Sequence, residues 1–321
     1  MQSSTQQLSP EQYELYLSIV NEYEKYRSLS DDEKYDLIQR IVSTRYIDLL
    51  CDWAFKHVFG HNEENLMLLL NDILPEKIVH IEYESNEIDL FKGDDKQVIM
   101  DVLCHTADGT SFICEMQKSR SSQFKNRMFY YGASMAHRQL KEGDGYAKLR
   151  PVYVICFMNF RIRHETDQLI YRYRLHENGS HELYGDQMTI ILCELPRLVK
   201  EADTPRTPVE SWFEILSNMR TFAERPQVID KRYEPIFKAC QKTTLGEVEL
   251  KQYFRAMITE DEKKDIAEAN YEAGLEQGIE QGIEIGREEM RIERDKELTE
   301  RLRALGVKEE VIQAALAAAE K

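Results

Sequence analysis

The sequence predicts a mixed α/β fold whose first half follows the order α-β-β-β-α-β. A long apolar helical tract ends just before Pro75, and three strand-like segments come after it. A second helical stretch then leads into residues 151–160, which are nearly all apolar and typical of a buried strand. The strand-like segments lie near residues 78–83, 97–105 and 111–117, and the second helical stretch covers residues 123–141.

Capped helices precede this core. Ser9 and Ser30 are followed three residues later by Gln12 and Glu33, a spacing typical of a capping box at a helix start. A further helix is expected over residues 46–74, where a break at the single glycine, at position 60, is allowed.

A second hairpin is expected in the next part of the chain, with strands over residues 169–175 and 187–195. After Pro196 the sequence becomes helical again, and from about Thr259 a long polar helix is predicted. The pattern divides the chain into a helical N-terminal region (1–44), a core (45–200), a helical extension (201–258) and an acidic helical arm (259–321).

Two carboxylates stand on neighbouring predicted strands among apolar residues. Asp101 lies on the second strand, and Glu115 and Gln117 lie on the third. A buried charge is costly unless it is paired or bound to a metal, so stability alone does not explain this pattern. Because carboxylate oxygens are ligands of hard divalent cations, the hairpin predicts a metal site built on a sheet.

The length of the hairpin turn decides whether these side chains can meet. A two-residue loop would place Asp101 opposite Met116, and no second acid would come near it. A three-residue loop at 107–109, with Gly109 in the left-handed conformation, would place Asp101 opposite Glu115 on one face of the sheet. We therefore predict the three-residue loop. Asp101 and Glu115 on opposite faces would exclude the metal site.

Composition excludes several classes of protein. With 42% hydrophobic and 31% charged residues, the chain has the composition of a globular protein with polar helical parts. No apolar run approaches the roughly 18 residues of a membrane span, and the first residues do not resemble a signal peptide, so we expect a cytoplasmic protein without membrane contact. The six cysteines stand singly, which argues against a zinc site and against a disulfide framework.

The net charge of −16 is unevenly distributed along the chain. Residues 118–163 contain ten basic and two acidic residues, whereas residues 260–300 contain fifteen acidic and six basic ones. The basic segment directly follows the acidic pair and suits a nucleic-acid partner, because a phosphate backbone is bound mainly by Lys and Arg. Charge counting alone supports equally well an alternative in which these cations are scattered over solvated surface.

Glycine recurs at every fourth residue of the C-terminal arm, at Gly274, Gly278, Gly282 and Gly286. A flat stripe of this kind lets another helix approach closely, which would make the arm a surface for self-association or for a partner helix. The alternative is a weakly folded, solvated tether, which the acidic composition favours. The sequence leaves both interpretations open.

Several short motifs occur in a fixed order over about residues 45–160. They are DWAFKHVFG at 52–60, VIMDV at 98–102, FICEMQ at 112–117, FKNRMFYY at 124–131, QLKEGDGY at 139–146 and LRPVY at 149–153. In these motifs the chain resembles the PD-(D/E)XK nuclease family transposases, relatives of the bacterial recombination-promoting nucleases. The resemblance implies a restriction-endonuclease-like αβββαβ core with a mixed sheet, a helical N-terminal region and a long helical C-terminal arm.

The resemblance also implies a Mg²⁺- or Mn²⁺-dependent phosphodiesterase that acts on DNA. Asp101 and Glu115 would hold the metal, and Asp52 is a candidate third acidic group. Asp52 is equally well explained as a helix N-terminal charge paired with Lys56. Tyr131 is expected to pack in the core. The residues expected to contact DNA are Lys118, Arg120, Lys125, Arg127, Tyr130 and Gln139, the last of them near the metal site.

Gln117 departs from the usual motif, which ends in Lys at this position. A neutral amide cannot act as a base or carry charge, although it can orient a water or a phosphate oxygen. Two functions therefore remain open. One is an active metal-dependent endonuclease linked to recombination or mobile elements, with Gln117 among its catalytic residues. The other is an inactive nuclease fold used for binding DNA or protein and for self-assembly.

Overall fold

The computed structural model describes residues 8–84, 87–88, 98–121, 123–162 and 166–261, together with 286, 290, 294, 296–304 and 306–308. Contacts divide the chain into two compact units, Met1–Lys264 and Asp265–Lys321. Among the described residues, no helix is both long and apolar enough to cross a lipid bilayer.

The N-terminal region is helical, as predicted. Helix α1 covers Pro10–Glu22, α2 covers Glu24–Arg27 and α3 covers Asp31–Val42. Both predicted capping boxes are formed, because the Ser9 and Ser30 side chains each accept a hydrogen bond from the backbone N–H three residues later. The starts of α1 and α3 are therefore fixed by local sequence.

The helix predicted over residues 46–74 is divided in two. Helix α4 covers Asp52–Phe59 and ends at Gly60, and α5 covers Glu63–Ile73. The Asn62 side chain accepts a hydrogen bond from the Asn65 N–H and so caps the start of α5. The break at Gly60 lets α4 and α5 pack as separate helices against one sheet face.

The strands are β1 (Glu82–Tyr83), β2 (Glu87–Ile88), β3 (Val98–Ile99), β4 (Val102–His105), β5 (Ser111–Gln117), β6 (Val152–Met158), β7 (Ile170–Tyr173) and β8 (Met188–Glu194). Six of them form a mixed sheet with the spatial order β1-β4-β5-β6-β8-β7. The β5–β6 and β6–β8 pairs are parallel and the other pairs of this sheet are antiparallel. A separate two-stranded ribbon joins β2 and β3, so the strand predicted over residues 97–105 is split at Met100 and Asp101.

Helices cover both faces of this sheet. Helix α6, Phe124–Arg138, packs on the face that contains Leu103, Ile113 and Val154. The opposite face packs against α4, α5, α7 (Pro208–Asn218), α8 (Glu234–Ala239) and the helix of residues 247–261. All six cysteines are free and buried, which confirms that they serve as small core residues. The hairpin of β7 and β8 is also confirmed.

The helix predicted to begin near Thr259 begins earlier, at residue 247. Gly246 donates its backbone N–H to the Glu249 carboxylate at 2.7 Å, which caps this end, and Tyr253 and Phe254 on the first turns are buried in the core. Apolar packing therefore extends the helix toward the N-terminus beyond its polar part.

The second unit contains a helical segment over residues 296–304. Gly306 follows it with φ +75°, and the Val307 N–H donates to the Leu302 carbonyl at 3.1 Å, a left-handed helix end. Gly286 is helical, whereas Gly274, Gly278, Gly282 and the expected terminal helix lie outside the described residues.

Candidate active site

The turn between β4 and β5 has the predicted three-residue form. The Thr106 N–H donates to the Thr110 carbonyl at 2.9 Å, which leaves residues 107–109 as the loop. Gly109 has φ +87°, the left-handed value that this turn requires. The Asp108 carboxylate accepts hydrogen bonds from the Thr106 hydroxyl at 2.5 Å and from the Thr110 N–H at 3.2 Å. The sequence Thr-Ala-Asp-Gly-Thr therefore stabilises its own turn.

This turn brings the two predicted acids together. Val102 pairs with Cys114 in the β4–β5 register, and the same register continued by one residue places Asp101 opposite Glu115. The Asp101 N–H donates to Glu115 Oε1 at 3.0 Å, and the Met116 N–H donates to Asp101 Oδ2 at 2.8 Å. The prediction that Asp101 and Glu115 lie opposite each other on one face of the hairpin is confirmed.

Both carboxylates are buried, with relative exposures of 8% for Asp101 and 3% for Glu115. Burial, reinforced by the nearby charge of Asp52, raises the pKa of Asp101 to about 6. Burial and the charge of Asp101 raise the pKa of Glu115 well above its ordinary value. The site therefore concentrates negative charge where water screens it poorly, an arrangement that a bound cation relieves.

Helix α4 supplies two further charged groups. Asp52 and Lys56 stand four residues apart and so share one face of the helix. The Lys56 ammonium lies 3.2 Å from Asp101 Oδ1, and Asp52 is close enough to raise the pKa of Asp101. The sequence suggested an ion pair between Lys56 and Asp52, and it did not reveal the contact of Lys56 with Asp101. The four-residue spacing of Asp52 and Lys56 indicated only that they share a helix face.

Gln117 and Arg127 form the next contact of the site. An Arg127 Nη2 hydrogen donates to Gln117 Oε1, and Gln117 Nε2 donates to the Met116 carbonyl at 2.9 Å. The positive charge of Arg127 partly opposes the rise that burial and Asp101 cause in the pKa of Glu115. Arg127 Nε is buried without a hydrogen-bond partner among the described residues. Arg127 therefore lies inside the site and has one donor available.

Tyr131 packs in the core, as predicted, and it also borders the site. Burial, followed by the charge of Glu115, raises the pKa of the Tyr131 hydroxyl to about 12. Tyr131 lies one helical turn after Arg127, so both residues face the same carboxylates. The spacing of 127 and 131 was the signal that could have identified this role.

Lys118 lies apart from this cluster. Its ammonium is 3.5 Å from Asp48 Oδ2, and the side chains are only 15% and 10% exposed. Asp48 also accepts a hydrogen bond from the Leu50 N–H at 3.0 Å. Successive strand residues point to opposite faces, so the chain turns Lys118 away from the side occupied by Gln117. The structure assigns Lys118 to a nearly buried ion pair.

The expectation that Gln139 lies near the metal site is wrong. Gln139 Oε1 accepts from the Arg150 N–H at 2.7 Å, and its Nε2 donates to the Arg150 carbonyl at 3.2 Å. Glu115 pairs with Cys156 on β6. Arg150 precedes Cys156 by six residues, along β6 and the segment that leads into it, a distance of about 20 Å. Gln139 connects the end of α6 to the start of β6, at the opposite end of the strand.

Three other predicted residues are at the surface near the start of α6. Arg120 follows β5, and Lys125 and Tyr130 lie on α6, all exposed. Tyr130 is 40% exposed and the neighbouring Phe129 is 59% exposed. Neither Arg120 nor Lys125 forms an ion pair with the residues that the structure describes. This basic and aromatic surface adjoins Arg127 on the same helix.

The model of one protein family, described as PD-(D/E)XK nuclease family transposase, matches residues 49–272. The chain belongs to this family. The matched region covers more than two thirds of the 321 residues and includes α4, the sheet and α6. Comparisons with curated proteins and with solved structures found no match. The six-stranded mixed sheet agrees with the restriction-endonuclease-like fold of PD-(D/E)XK proteins.

The donor set of this PD-(D/E)XK chain can be compared with what a divalent cation needs. Among the residues described here, no three His, Cys, Asp or Glu side chains are grouped closely enough to bind one ion. Mg²⁺ is nevertheless often bound by one or two carboxylates, with water and substrate phosphate completing its ligands. Asp101 and Glu115 fit that requirement, and the buried, unpartnered Arg127 Nε fits an oxygen of a bound phosphate.

Proposed function

We propose that the chain is a Mg²⁺- or Mn²⁺-dependent DNA endonuclease that acts in recombination or in mobile elements. The observation that supports it best is the pair of buried carboxylates, Asp101 and Glu115, joined by a hydrogen bond of 3.0 Å from the Asp101 N–H. Two like charges at such a site are costly unless a cation is bound there. Because the chain belongs to a nuclease family, phosphodiester hydrolysis is the reaction that we propose for this site.

The surrounding residues suit this chemistry. A divalent ion held by Asp101 and Glu115 would lower the pKa of a water molecule and offset charge that develops on the phosphate. Gln117 is fixed by Arg127, so its amide is held in place to orient a water or a phosphate oxygen. The remaining Arg127 Nε–H is available to donate to a phosphate oxygen.

DNA would lie across the surface at the start of α6. Arg120 and Lys125 provide exposed positive charge, and Tyr130 and Phe129 provide exposed rings on which bases can stack. Lys118 and Gln139 are left out of this proposed surface, because each is held by contacts elsewhere. Lys125→Met should weaken binding to DNA of any sequence. The slope of log affinity against log salt concentration should decrease by about 1, the value for one phosphate contact. Lys77→Met removes an exposed lysine from a different surface and serves as the control.

Gln117 supports a second candidate, an inactive nuclease fold that binds DNA or protein. The Gln117 side chain carries no charge, and its amide oxygen already accepts a hydrogen bond from Arg127. Under this alternative, the carboxylates would remain as a buried network neutralised by Lys56, and DNA would be bound without being cut.

Plasmid nicking distinguishes the two candidates. Supercoiled DNA is incubated with the full-length protein in Mg²⁺, Mn²⁺ or EDTA, and DNA binding is measured in parallel by fluorescence anisotropy. The proposal expects metal-dependent nicking that Asp101→Asn and Glu115→Gln abolish while DNA binding remains. Glu64→Gln, at an exposed position on α5, should nick like the wild type. DNA binding without nicking in either metal would support the inactive fold. If the protein neither binds nor nicks DNA, the endonuclease and a DNA-binding inactive fold are both excluded.

A further inference from the structure

A site that cleaves phosphodiesters benefits from a fixed positive charge beside the scissile phosphate, because negative charge increases there in the transition state. The strand position two residues after Glu115 is occupied by neutral Gln117. Arg127 of α6 lies on the Glu115 side of the site, where one of its terminal nitrogens is bound to Gln117. Among the strand residues that the structure describes, none places an ammonium or guanidinium against Asp101.

Helix α4 brings a lysine to this position from outside the sheet. The Lys56 ammonium lies 3.2 Å from Asp101 Oδ1, whereas the Met116 N–H donates to the other oxygen, Oδ2. The orientation of α4 is fixed by the buried residues Phe55 and Phe59, whose ring centroids are 4.8 Å apart. Lys56 thus projects from a well-packed helix.

The two partners of this ion pair differ in exposure. The Lys56 side chain is 32% exposed, whereas that of Asp101 is 9% exposed. The Lys56 side chain therefore contacts a buried carboxylate while about a third of its surface is open to solvent. A group with this placement can hold its carboxylate and still donate to an oxygen that approaches from solvent.

We propose that Lys56 supplies the positive charge on the Asp101 side of the active site: it neutralises Asp101 in the metal-free protein and donates to the scissile phosphate when metal and DNA are bound. This inference rests on the proposed nuclease function. It makes α4, rather than β5, the element that carries the cation. Asp52, on the same helix face, is the neighbouring acid that keeps negative charge close to this ammonium.

The proposal predicts opposite effects on metal binding and on cleavage. Because the ammonium repels a divalent cation, Lys56→Met should bind Mn²⁺ more tightly, by about 3- to 10-fold. Because the phosphate loses its cation, nicking should decrease by about 100-fold or more. A lysine that only stabilised the fold would not separate the two effects, since its loss would weaken metal binding and nicking together.

The experiment measures Mn²⁺ affinity by isothermal titration calorimetry and nicking of supercoiled plasmid in Mn²⁺. The variants are Lys56→Met, Lys56→Arg, which retains the charge, and Lys77→Met, which makes the same change in charge at an exposed position. Thermal unfolding in EDTA checks that each variant folds. Lys56→Arg should retain nicking to within about 10-fold of wild type, since a guanidinium also donates to phosphate, and Lys77→Met should match wild type in both assays.

Several outcomes would overturn the proposal. If the wild type nicks DNA and Lys56→Met nicks it equally well, Lys56 is not the cation of the site, although the nuclease function stands. Weaker Mn²⁺ binding in a folded Lys56→Met protein would contradict the ion-pair part. If the wild type nicks no DNA in either metal, the proposed function fails, and the catalytic role of Lys56 fails with it.

Discussion

The Asp101 backbone N–H donates to Glu115 Oε1, so one acid of the candidate site orients the other. Glu115→Gln keeps this acceptor and removes one of two like charges. We expect the metal-free variant to be at least as stable as wild type and its Mn²⁺ affinity to decrease by about 10-fold or more. Glu115→Ala removes the acceptor and should lower the free energy of unfolding by about 1–3 kcal/mol, because the Asp101 N–H is then buried without a partner. Urea denaturation in EDTA compares the two. An alanine variant as stable as the glutamine variant would contradict this view.

The stability of the metal-free protein should depend on pH through Asp101. Its folded-state pKa of about 6 lies above the ordinary aspartate value of 3.8. The folded protein therefore retains this proton to a higher pH than the unfolded chain does. As pH rises from about 4 to about 6, ionisation of Asp101 should therefore lower the free energy of unfolding, by about 3 kcal/mol at most. Unfolding free energies in EDTA across this range should show a weaker decline for Asp101→Asn. Equal slopes in the two proteins would exclude the effect.

Gly109 should be required for the turn that pairs the acids. Its φ of +87° disfavours other residues, and an added Cβ would lie 3.1 Å from Arg150 Cγ. Gly109→Ala should therefore destabilise the protein by about 1–2 kcal/mol, and Gly109→Asn by less, because Asn tolerates the left-handed region. Gly145 has φ −78° and open space around its Cα, so Gly145→Ala should be nearly neutral. Denaturation midpoints measure all three. A neutral Gly109→Ala would indicate a different turn.

Lys118 should matter for stability more than for DNA binding. Lys118→Met leaves Asp48 nearly buried without its cation and should cost about 1–3 kcal/mol. Asp48→Asn combined with Lys118→Met should recover part of this loss, and a double-mutant cycle gives the coupling energy. DNA affinity, measured well below the unfolding temperature, should change less than in Lys125→Met. A stable Lys118→Met protein with strongly reduced DNA affinity would reverse this assignment.

Gln139 should contribute to stability and not to cleavage. Its amide makes two hydrogen bonds to the Arg150 backbone, at 2.7 and 3.2 Å. Gln139→Ala should cost about 1 kcal/mol or slightly more, since both Arg150 groups lose a partner at a partly exposed position. Mn²⁺ affinity and nicking should remain at wild-type values when measured on the folded protein. Loss of metal binding in a protein of normal stability would contradict the assignment.

The features that local sequence determines were predicted correctly. The loop at 107–109 follows from the strand period and from the preference of Asp-Gly for this turn, and the capping boxes at Ser9 and Ser30 follow from spacing alone. The order of helices and strands in the core was also predictable, because each element has its own periodic pattern. These patterns together specified where Asp101 and Glu115 meet.

The contacts between distant elements were not predictable in the same way. Lys56 reaches Asp101 only because α4 packs at a particular position on the sheet, and Gln139 is directed to Arg150 by the length of α6. Neither placement is encoded in the residues nearby. Tyr131 and Arg127 share a helix face, but which carboxylate that face meets depends on the parallel pairing of β5 with β6.

The parallel pairing of β5 with β6 has a consequence for synthesis of the protein. Every candidate site residue from Asp52 to Tyr131 leaves the ribosome before β6 does, yet Glu115 is enclosed only when Cys156 comes to lie beside it. A parallel pair forms after its crossover is complete, so β5 and β6 can pair only once residues 118–158 have been made. The nascent chain therefore carries Asp101, Glu115 and Arg127 before the strand that encloses Glu115 has been made.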